Sequence, residues 1–170
     1  MTSDPTTELD SRFSAAEAPT PWPDAKNVLD QAELYWLTTV RADGRPHVTP
    51  LIGVSEDGAM HFSTGLREQK ARNLEHNRQV ALTTGNNTWD RGLDIVVEGS
   101  AVRVVDNDAL QRLADAYEAK YGSAWHFDVG DGVFRTSVDD AAVFRIEPAK
   151  VLAFAKDPHA QTTYRFSAAG

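Results

Sequence analysis

The chain has 170 residues, of which 41% are hydrophobic and 25% charged, and it carries a formal net charge of −8 at pH 7. This size and balance indicate one globular domain with its own core, and the acidic charge argues against nucleic acid or an anionic membrane as a partner. Because there is no cysteine, disulfides, thiolate zinc sites, iron–sulfur clusters and a cysteine nucleophile are excluded, so redox chemistry would require a bound cofactor.

The N-terminal part predicts an arm followed by a helix. Residues 1–22 are rich in Ser, Thr, Pro, Ala and Asp, so we expect a flexible arm, with residues 23–170 forming the folded domain. Asp24 is placed to cap a short helix that runs to about Ala32. The polar start and the lack of an apolar run of roughly 20 residues predict a cytoplasmic protein.

Three strand-like segments follow, separated by two Asp-Gly turns. They are Tyr35–Val40, His47–Val54 and Met60–Thr64, and their alternation and turn residues predict an antiparallel meander. A helix from about Glu68 to His76 is indicated by apolar residues at helical spacing.

The second half predicts longer strands and one amphipathic helix. Strands are expected at residues 79–84 and 93–105, with Gly99 suited to a bulge or a barrel bend, and one long last strand at residues 141–148 and 150–154. Between them, Asp106 or Asn107 caps a helix that ends at Gly122. About six strands with single helices between them predict a mainly β fold, a Greek-key-like barrel with peripheral helices.

The first candidate site joins the end of a strand to a basic helix. Four of the 17 basic residues lie between Arg67 and Arg78, directly after Ser63, Thr64 and Gly65. Free backbone N–H groups at a helix start, hydroxyl groups and a cation such as Lys70 are the groups that bind phosphate. The alternative is a solvated helix face with pairs such as Glu68 and Arg72.

The second candidate site is the strand after the first Asp-Gly turn. Its alternation places His47, Thr49 and Leu51 on one face, where polar side chains could meet a flat heterocycle, and Pro50 on the other. Pro50 cannot donate to a ladder, so it indicates an edge strand or a break in pairing. A solvent-facing strand would give the same alternation without any function.

Other motifs are missing or ambiguous. The five histidines have no helical metal-ligand spacing, so we expect no metal site, and there is no nucleophile elbow, Walker loop or Gly-x-Gly-x-x-Gly turn. Trp89, Trp125 and Phe127 lie in loop segments, where each could pack in the core or at a dimer interface, and one could cover a planar ligand.

In this order of segments the chain resembles the pyridoxamine 5'-phosphate oxidase-like superfamily, the FMN-binding split β-barrels. The resemblance covers Tyr35 to about Val105 and continues more loosely to Phe154. The phrases that carry it are Leu37-Thr38-Thr39-Val40, Asp43-Gly44-Arg45-Pro46-His47-Val48-Thr49-Pro50, His61-Phe62-Ser63-Thr64-Gly65, Lys70-Ala71-Arg72-Asn73-Leu74-Glu75-His76-Asn77 and Val80-Ala81-Leu82-Thr83.

The resemblance implies a homodimer with the cofactor between the two subunits. The strand at His47, Thr49 and Pro50 would run beside the cofactor ring, and Trp89 of a partner chain could close over it. The phosphate would be held by the remaining site residues, which are Ser63, Thr64, Gly65, Lys70 and Arg72. Asn73 would be structural, and we expect Lys70→Ala to weaken cofactor binding with little loss of thermal stability.

The resemblance further implies a flavoprotein-type oxidoreductase that passes hydride between its cofactor and a small organic substrate. The Glu-Gln-Lys-Ala-Arg-Asn-Leu phrase is more similar to the branch that uses the deazaflavin coenzyme F-420, which we favour, with FMN as the alternative. A non-catalytic cofactor-binding protein on the same fold stays open. Residues 161–170 lack the basic C-terminal region of true pyridoxamine-phosphate oxidases, so vitamin B6 oxidation is not expected. If a substrate proton is transferred, the candidates are His47 and His126.

Overall fold

The computed structural model describes residues 4–167. Within this range the chain forms eleven strands, three α-helices and two short 3-10 turns. The strands are β1 (Thr6–Leu9), β2 (Tyr35–Val40), β3 (Pro46–Leu51), β4 (Val54–Glu56), β5 (Ala59–Gly65), β6 (Gln79–Thr84), β7 (Leu93–Val104), β8 (Asp128–Gly130), β9 (Val133–Arg135), β10 (Ala141–Lys156) and β11 (His159–Arg165). The helices are α1 (Trp22–Gln31), α2 (Gln69–His76) and α3 (Asn107–Tyr121).

One long strand, β10, holds the sheet together. Its first half pairs with β5 and its second half with β11, while β7 runs along most of its length. The main path of the sheet is β1-β11-β10-β7-β6-β2-β3, and every pairing is antiparallel. Because β3 lies at an open edge of this path, the sheet curls without closing, and the prediction of a mainly β split barrel is confirmed.

The predicted three-strand meander is wrong at its second connection. β3 pairs with β2 as expected, but β5 pairs with β10 on the other half of the barrel and with the short strand β4. The chain bends at Gly53, where an added Cβ would come within 2.9 Å of the His61 carbonyl oxygen. The Gly53 N–H donates to the Tyr121 hydroxyl at 3.2 Å instead of to a neighbouring strand. A local alternation of residues cannot reveal this exchange of partners.

The N-terminal arm is also partly structured, contrary to expectation. β1 pairs with β11, and the Trp22 ring packs against the rings of Tyr164 and Phe166 with centroids 5.0 and 5.3 Å apart. α1 begins at Trp22, two residues before the predicted cap Asp24. The sequence does not predict β11, and residues 1–3 and 168–170 of the predicted arm and tail lie outside the described residues.

Gly99 allows two strands to approach closely. An added Cβ there would collide with the Glu147 carbonyl of β10, and the register of β10 shifts next to this point, between Pro148 and Lys150. The irregularity expected at Gly99 is therefore present in the opposing strand, and the predicted long last strand is observed as β10.

The buried apolar residues form two clusters. One fills the barrel interior, and the other lies under α3, which is capped by Asp106 through the Ala109 N–H at 2.8 Å and followed by Gly122 at φ 86°. The predicted inward face of α3 is buried, namely Leu110, Leu113, Ala114 and Tyr117. Among residues 4–167 there is no helix whose length and apolar character would let it cross a membrane.

Candidate functional site

A cleft of about 730 Å³ opens beside the end of β5. Its size falls within the usual range of small-molecule sites. Its wall is largely apolar and comes from the residue before β2, the end of β3 with the residue after it, and the segments on both sides of the β8–β9 hairpin. Its polar residues lie at the end of β5, at the start of α2 and in the segment after β9. The main apolar lining residues are Leu34, Pro50, Leu51, Ile52, Trp125, Phe127 and Val138, and the polar ones are Ser63, Thr64, Arg67, Glu68, Thr136 and Asp139.

The polar corner of the cleft is formed where β5 ends. The sequence predicts that Ser63, Thr64 and Gly65 belong to a phosphate site, and all three line the cleft. The Gly65 N–H donates to Glu68 Oε1 at 2.9 Å, and Lys70 forms an ion pair with the other carboxylate oxygen of Glu68. The Lys70 side chain is only 10% exposed, so it reaches the cleft through Glu68 rather than by lining it.

Glu68 stays ionised in this corner. Burial raises the pKa of Glu68, but the hydrogen bonds from Lys70 and Gly65, the charge of Lys70 and the Thr64 hydroxyl together outweigh it and hold the pKa below its usual range. A carboxylate of the chain itself thus occupies the position toward which the donors of the corner point.

Asn73 fixes the helix that carries Glu68 and Lys70. Its amide Nδ2 donates to the Thr39 hydroxyl at 2.8 Å, and both side chains are buried. Leu74, on the same side of α2, packs into the barrel interior. Because α2 is attached to β2 in this way, the start of the helix is held against the end of β5.

The rest of the basic segment does not reach the cleft. Arg72 and Arg78 lie outside the cleft lining, and Arg72 is exposed. Arg67 does line the cleft, and its Nε lies 2.9 Å from Asp139 Oδ2. The alternative pairing of Glu68 with Arg72 is not formed either, since Glu68 pairs with Lys70. Of the four clustered cations, the two near the cleft each have an acidic partner.

The predicted strand site is divided between two faces of β3. His47, Thr49 and Leu51 are half-buried, whereas Val48 and Pro50 are exposed, so the predicted alternation is present. Pro50 lines the cleft together with Leu51. Within residues 4–167 the Thr49 Oγ1 is buried without a hydrogen-bond partner, which leaves one hydroxyl with unused bonding capacity.

The two candidate proton carriers differ in position and in charge. Partial burial, helped by Arg41 and Lys70, lowers the pKa of His47, which favours its neutral form. His126 follows Trp125 but does not itself line the cleft, and its Nδ1 lies 2.7 Å from Glu118 Oε2. The hydrogen bond to Glu118 raises the pKa of His126, which favours its protonated form.

Of the three aromatic loop residues considered from the sequence, two line the cleft and one does not. Trp125 and Phe127 line the cleft, and the Phe127 ring is stacked on Phe134 with centroids 4.6 Å apart. Trp89 is 90% exposed in the β6–β7 loop and does not line the cleft of its own chain. The sequence does not indicate that Leu34, Ile52 and Asp139 line the cleft, because only the folded loops bring them together.

Metal ligands do not gather anywhere in the described part of the chain. No group of three or more His, Asp or Glu residues there is arranged to hold an ion.

Comparison with solved structures shows the same fold in several proteins. A conserved hypothetical protein from Mycobacterium tuberculosis is 19% identical with a TM-score of 0.66, over 88% of this chain and 90% of that one. The heme binding protein from Mycobacterium smegmatis is 16% identical with a TM-score of 0.70, over 88% and 60% of the two chains. The FAD binding protein from Mycobacterium smegmatis is 16% identical with a TM-score of 0.58, over 79% and 95%.

Sequence comparison gives a family but no characterised relative. No curated protein sequence matches the chain significantly. Residues 22–155 match the family described as pyridoxamine 5'-phosphate oxidase, which covers all elements from α1 to nearly the end of β10. Together with the split barrel and the cleft at the end of β5, this match shows that the chain belongs to the pyridoxamine 5'-phosphate oxidase family.

Proposed function

We propose that this protein is an oxidoreductase that binds a flavin-type cofactor in the cleft beside β5, with coenzyme F-420 favoured and FMN as the alternative. The observation that carries the proposal is the combination, in one cleft of about 730 Å³, of a broad apolar wall and a corner of hydrogen-bond donors. Such a cleft suits a flat heterocycle that carries an anionic tail.

The residues present fit such a ligand. Leu34, Pro50 and Ile52 offer an apolar surface for a planar ring, and Trp125 offers an aromatic one. The Thr49 hydroxyl shares a face of β3 with the cleft residue Leu51, but it is buried and does not itself line the cleft. Ser63 and Thr64 would bind the tail, and the Gly65 N–H and the Lys70 cation lie next to it, both bound to the Glu68 carboxylate.

The bound cofactor would supply hydride transfer, and the chain would orient the ring, exclude water from one of its faces and provide charge. The surroundings of His126 raise its pKa and favour the protonated imidazole, whereas those of His47 lower its pKa and favour the neutral imidazole. The substrate is expected to be a small organic molecule, because the cleft has room for little beyond the cofactor.

A homodimer forms part of this proposal. On the outer face at the edge of the sheet, Trp36 and Val48 are about half exposed and lie beside Pro50 of the cleft wall. Covering this apolar face with a second copy would bury it, and the exposed Trp89 of the partner could then close over the ring.

Titration of the purified protein with F-420 and with FMN tests the proposal, with cofactor fluorescence as the readout. Leu34→Glu places a charge on the apolar wall and is expected to weaken binding of both cofactors at least ten-fold. Val105→Glu is the matched control, because Val105 is also an exposed apolar residue but lies outside the cleft.

Three outcomes decide between the alternatives. Tighter binding of FMN than of F-420 would reverse the cofactor order, and absence of binding by either would refute the proposal. Binding without turnover of quinones, enones or tetrapyrroles would favour a non-catalytic cofactor-binding protein on the same fold.

A further inference from the structure

We infer that Glu68 sets the charge selectivity of the cleft, acting against ligands whose tail is a doubly charged phosphate monoester. This inference rests on the proposed function, because it concerns how a flavin-type cofactor is selected. In the proposed function Glu68 is neither a metal ligand nor a proton carrier. It acts only by its charge in the polar corner of the cleft.

Glu68 already takes the bonds that a phosphate would need. The Gly65 N–H donates to one carboxylate oxygen at 2.9 Å, and the Lys70 ammonium pairs with the other. An ammonium and a backbone amide that converge on one anion are the donors typically used for phosphate. Glu68 directly precedes α2, its side chain is about half exposed, and it lines the cleft.

The charges of the cleft are balanced. Two cations lie at or next to it, Arg67 and Lys70, and each has a carboxylate partner, Asp139 and Glu68. These four side chains therefore sum to no net charge. A phosphate monoester that entered the corner would either displace Glu68 from Lys70 or bind beside it, and both arrangements place like charges close together.

The candidate cofactors differ in the charge of the phosphate group that would enter the corner. A phosphate monoester such as that of FMN carries a charge of about −1.5 to −2 near neutral pH, while a phosphodiester such as that of F-420 carries about −1. Repulsion by Glu68 is smaller for the diester and absent for riboflavin, which has the same ring as FMN without phosphate. The corner thus favours a diester or an uncharged tail over a monoester.

The experiment compares FMN with riboflavin on the full-length protein, with quenching of ring fluorescence as the readout. Glu68→Gln is expected to bind FMN at least five-fold more tightly than wild type and riboflavin within two-fold of it. Glu75→Gln, which removes the same charge from an exposed position of α2 outside the cleft, is expected to leave both affinities within two-fold.

A double variant keeps the test decisive if Glu68→Gln alone leaves the buried Lys70 without its partner and the protein too unstable to fold. Glu68→Gln combined with Lys70→Met removes both charges together, and the ratio of FMN to riboflavin affinity is expected to stay within two-fold of wild type. A large drop of that ratio would mean that Lys70 binds phosphate despite its partner, and the inference would be overturned.

Failure of the inference and failure of the proposed function give different results. If riboflavin and FMN both bind but Glu68→Gln tightens FMN no more than riboflavin, Glu68 has no role in selection. If neither wild type nor any variant binds riboflavin, FMN or F-420, the cleft is not a flavin-type site and both proposals fall.

Discussion

His61 makes the fold sensitive to mild acid. It lies in β5 directly opposite Arg145 of β10, it is 5% exposed, and its Nδ1 has no hydrogen-bond partner among residues 4–167. Burial lowers the pKa of His61 to about 4, and the charge of Arg145 contributes to this shift, while the Ala59 backbone and Asp57 act in the opposite direction. The folded protein therefore holds this imidazole neutral at neutral pH.

The sign of the effect follows from proton linkage. An unfolded histidine has a pKa near 6.5, so between about pH 6.5 and pH 4 the unfolded chain binds this proton more readily than the folded one. Stability is lost as the pH falls through this window, and below about pH 4 this group causes no further change. A pKa difference of roughly 2.5 corresponds to about 3 kcal/mol as an upper value.

Urea denaturation at pH 7 and at pH 4 measures this loss. Leucine is similar to histidine in volume and cannot be protonated. Between the two pH values the free energy of unfolding of His61→Leu is therefore expected to fall by about 3 kcal/mol less than that of wild type. His76→Gln removes an exposed histidine at the end of α2 and should lose as much as wild type. An equal loss in wild type and His61→Leu would refute the burial argument.

Three further substitutions test packing at α2, within the sheet and at the N-terminal segment, each by thermal and urea denaturation. Asn73→Ala leaves the buried Thr39 hydroxyl without its donor and should lower the free energy of unfolding by about 1–3 kcal/mol, and an unchanged value would contradict a stabilising role of this hydrogen bond. Gly99→Ala should cost about 1–3 kcal/mol by collision with the main chain of β10, whereas Gly130→Ala, with more open space, serves as its control. Trp22→Ala should cost about 2 kcal/mol by loss of its aromatic contacts, and an unchanged midpoint would show that the N-terminal segment docks weakly.

The elements that the sequence predicts well are those whose signals are local. α3 has its predicted cap at Asp106 and its predicted end before Gly122, because capping and helical periodicity depend on neighbouring residues. The pairing of β5 with β10 is not predictable in this way, since its partner lies far along the chain and β5 follows an equally good local alternative in β3. β1 escapes prediction for the same reason, since it has four residues and its partner β11 is distant in sequence, whereas β11 follows β10 directly as the second strand of a hairpin.

The candidate site shows the same division. The corner at Ser63, Thr64 and Gly65 is predictable because strand end, hydroxyls and helix start are adjacent in sequence. The acidic partners of the two cations near the cleft are not predictable from the sequence. Asp139 is 72 residues from Arg67, and Glu68 turns to Gly65 and Lys70 rather than forward to Arg72.

The burial of Lys70 changes how its role can be tested. The sequence predicts that Lys70→Ala spares thermal stability, but the side chain is buried and paired with Glu68, so its removal alters the fold and the corner together. Loss of both stability and binding in that variant would therefore not distinguish a structural residue from a ligand-binding one. Exposed wall residues such as Leu34 and Val138 can make the distinction, because a change there alters what the cleft accepts while the barrel beneath it stays packed.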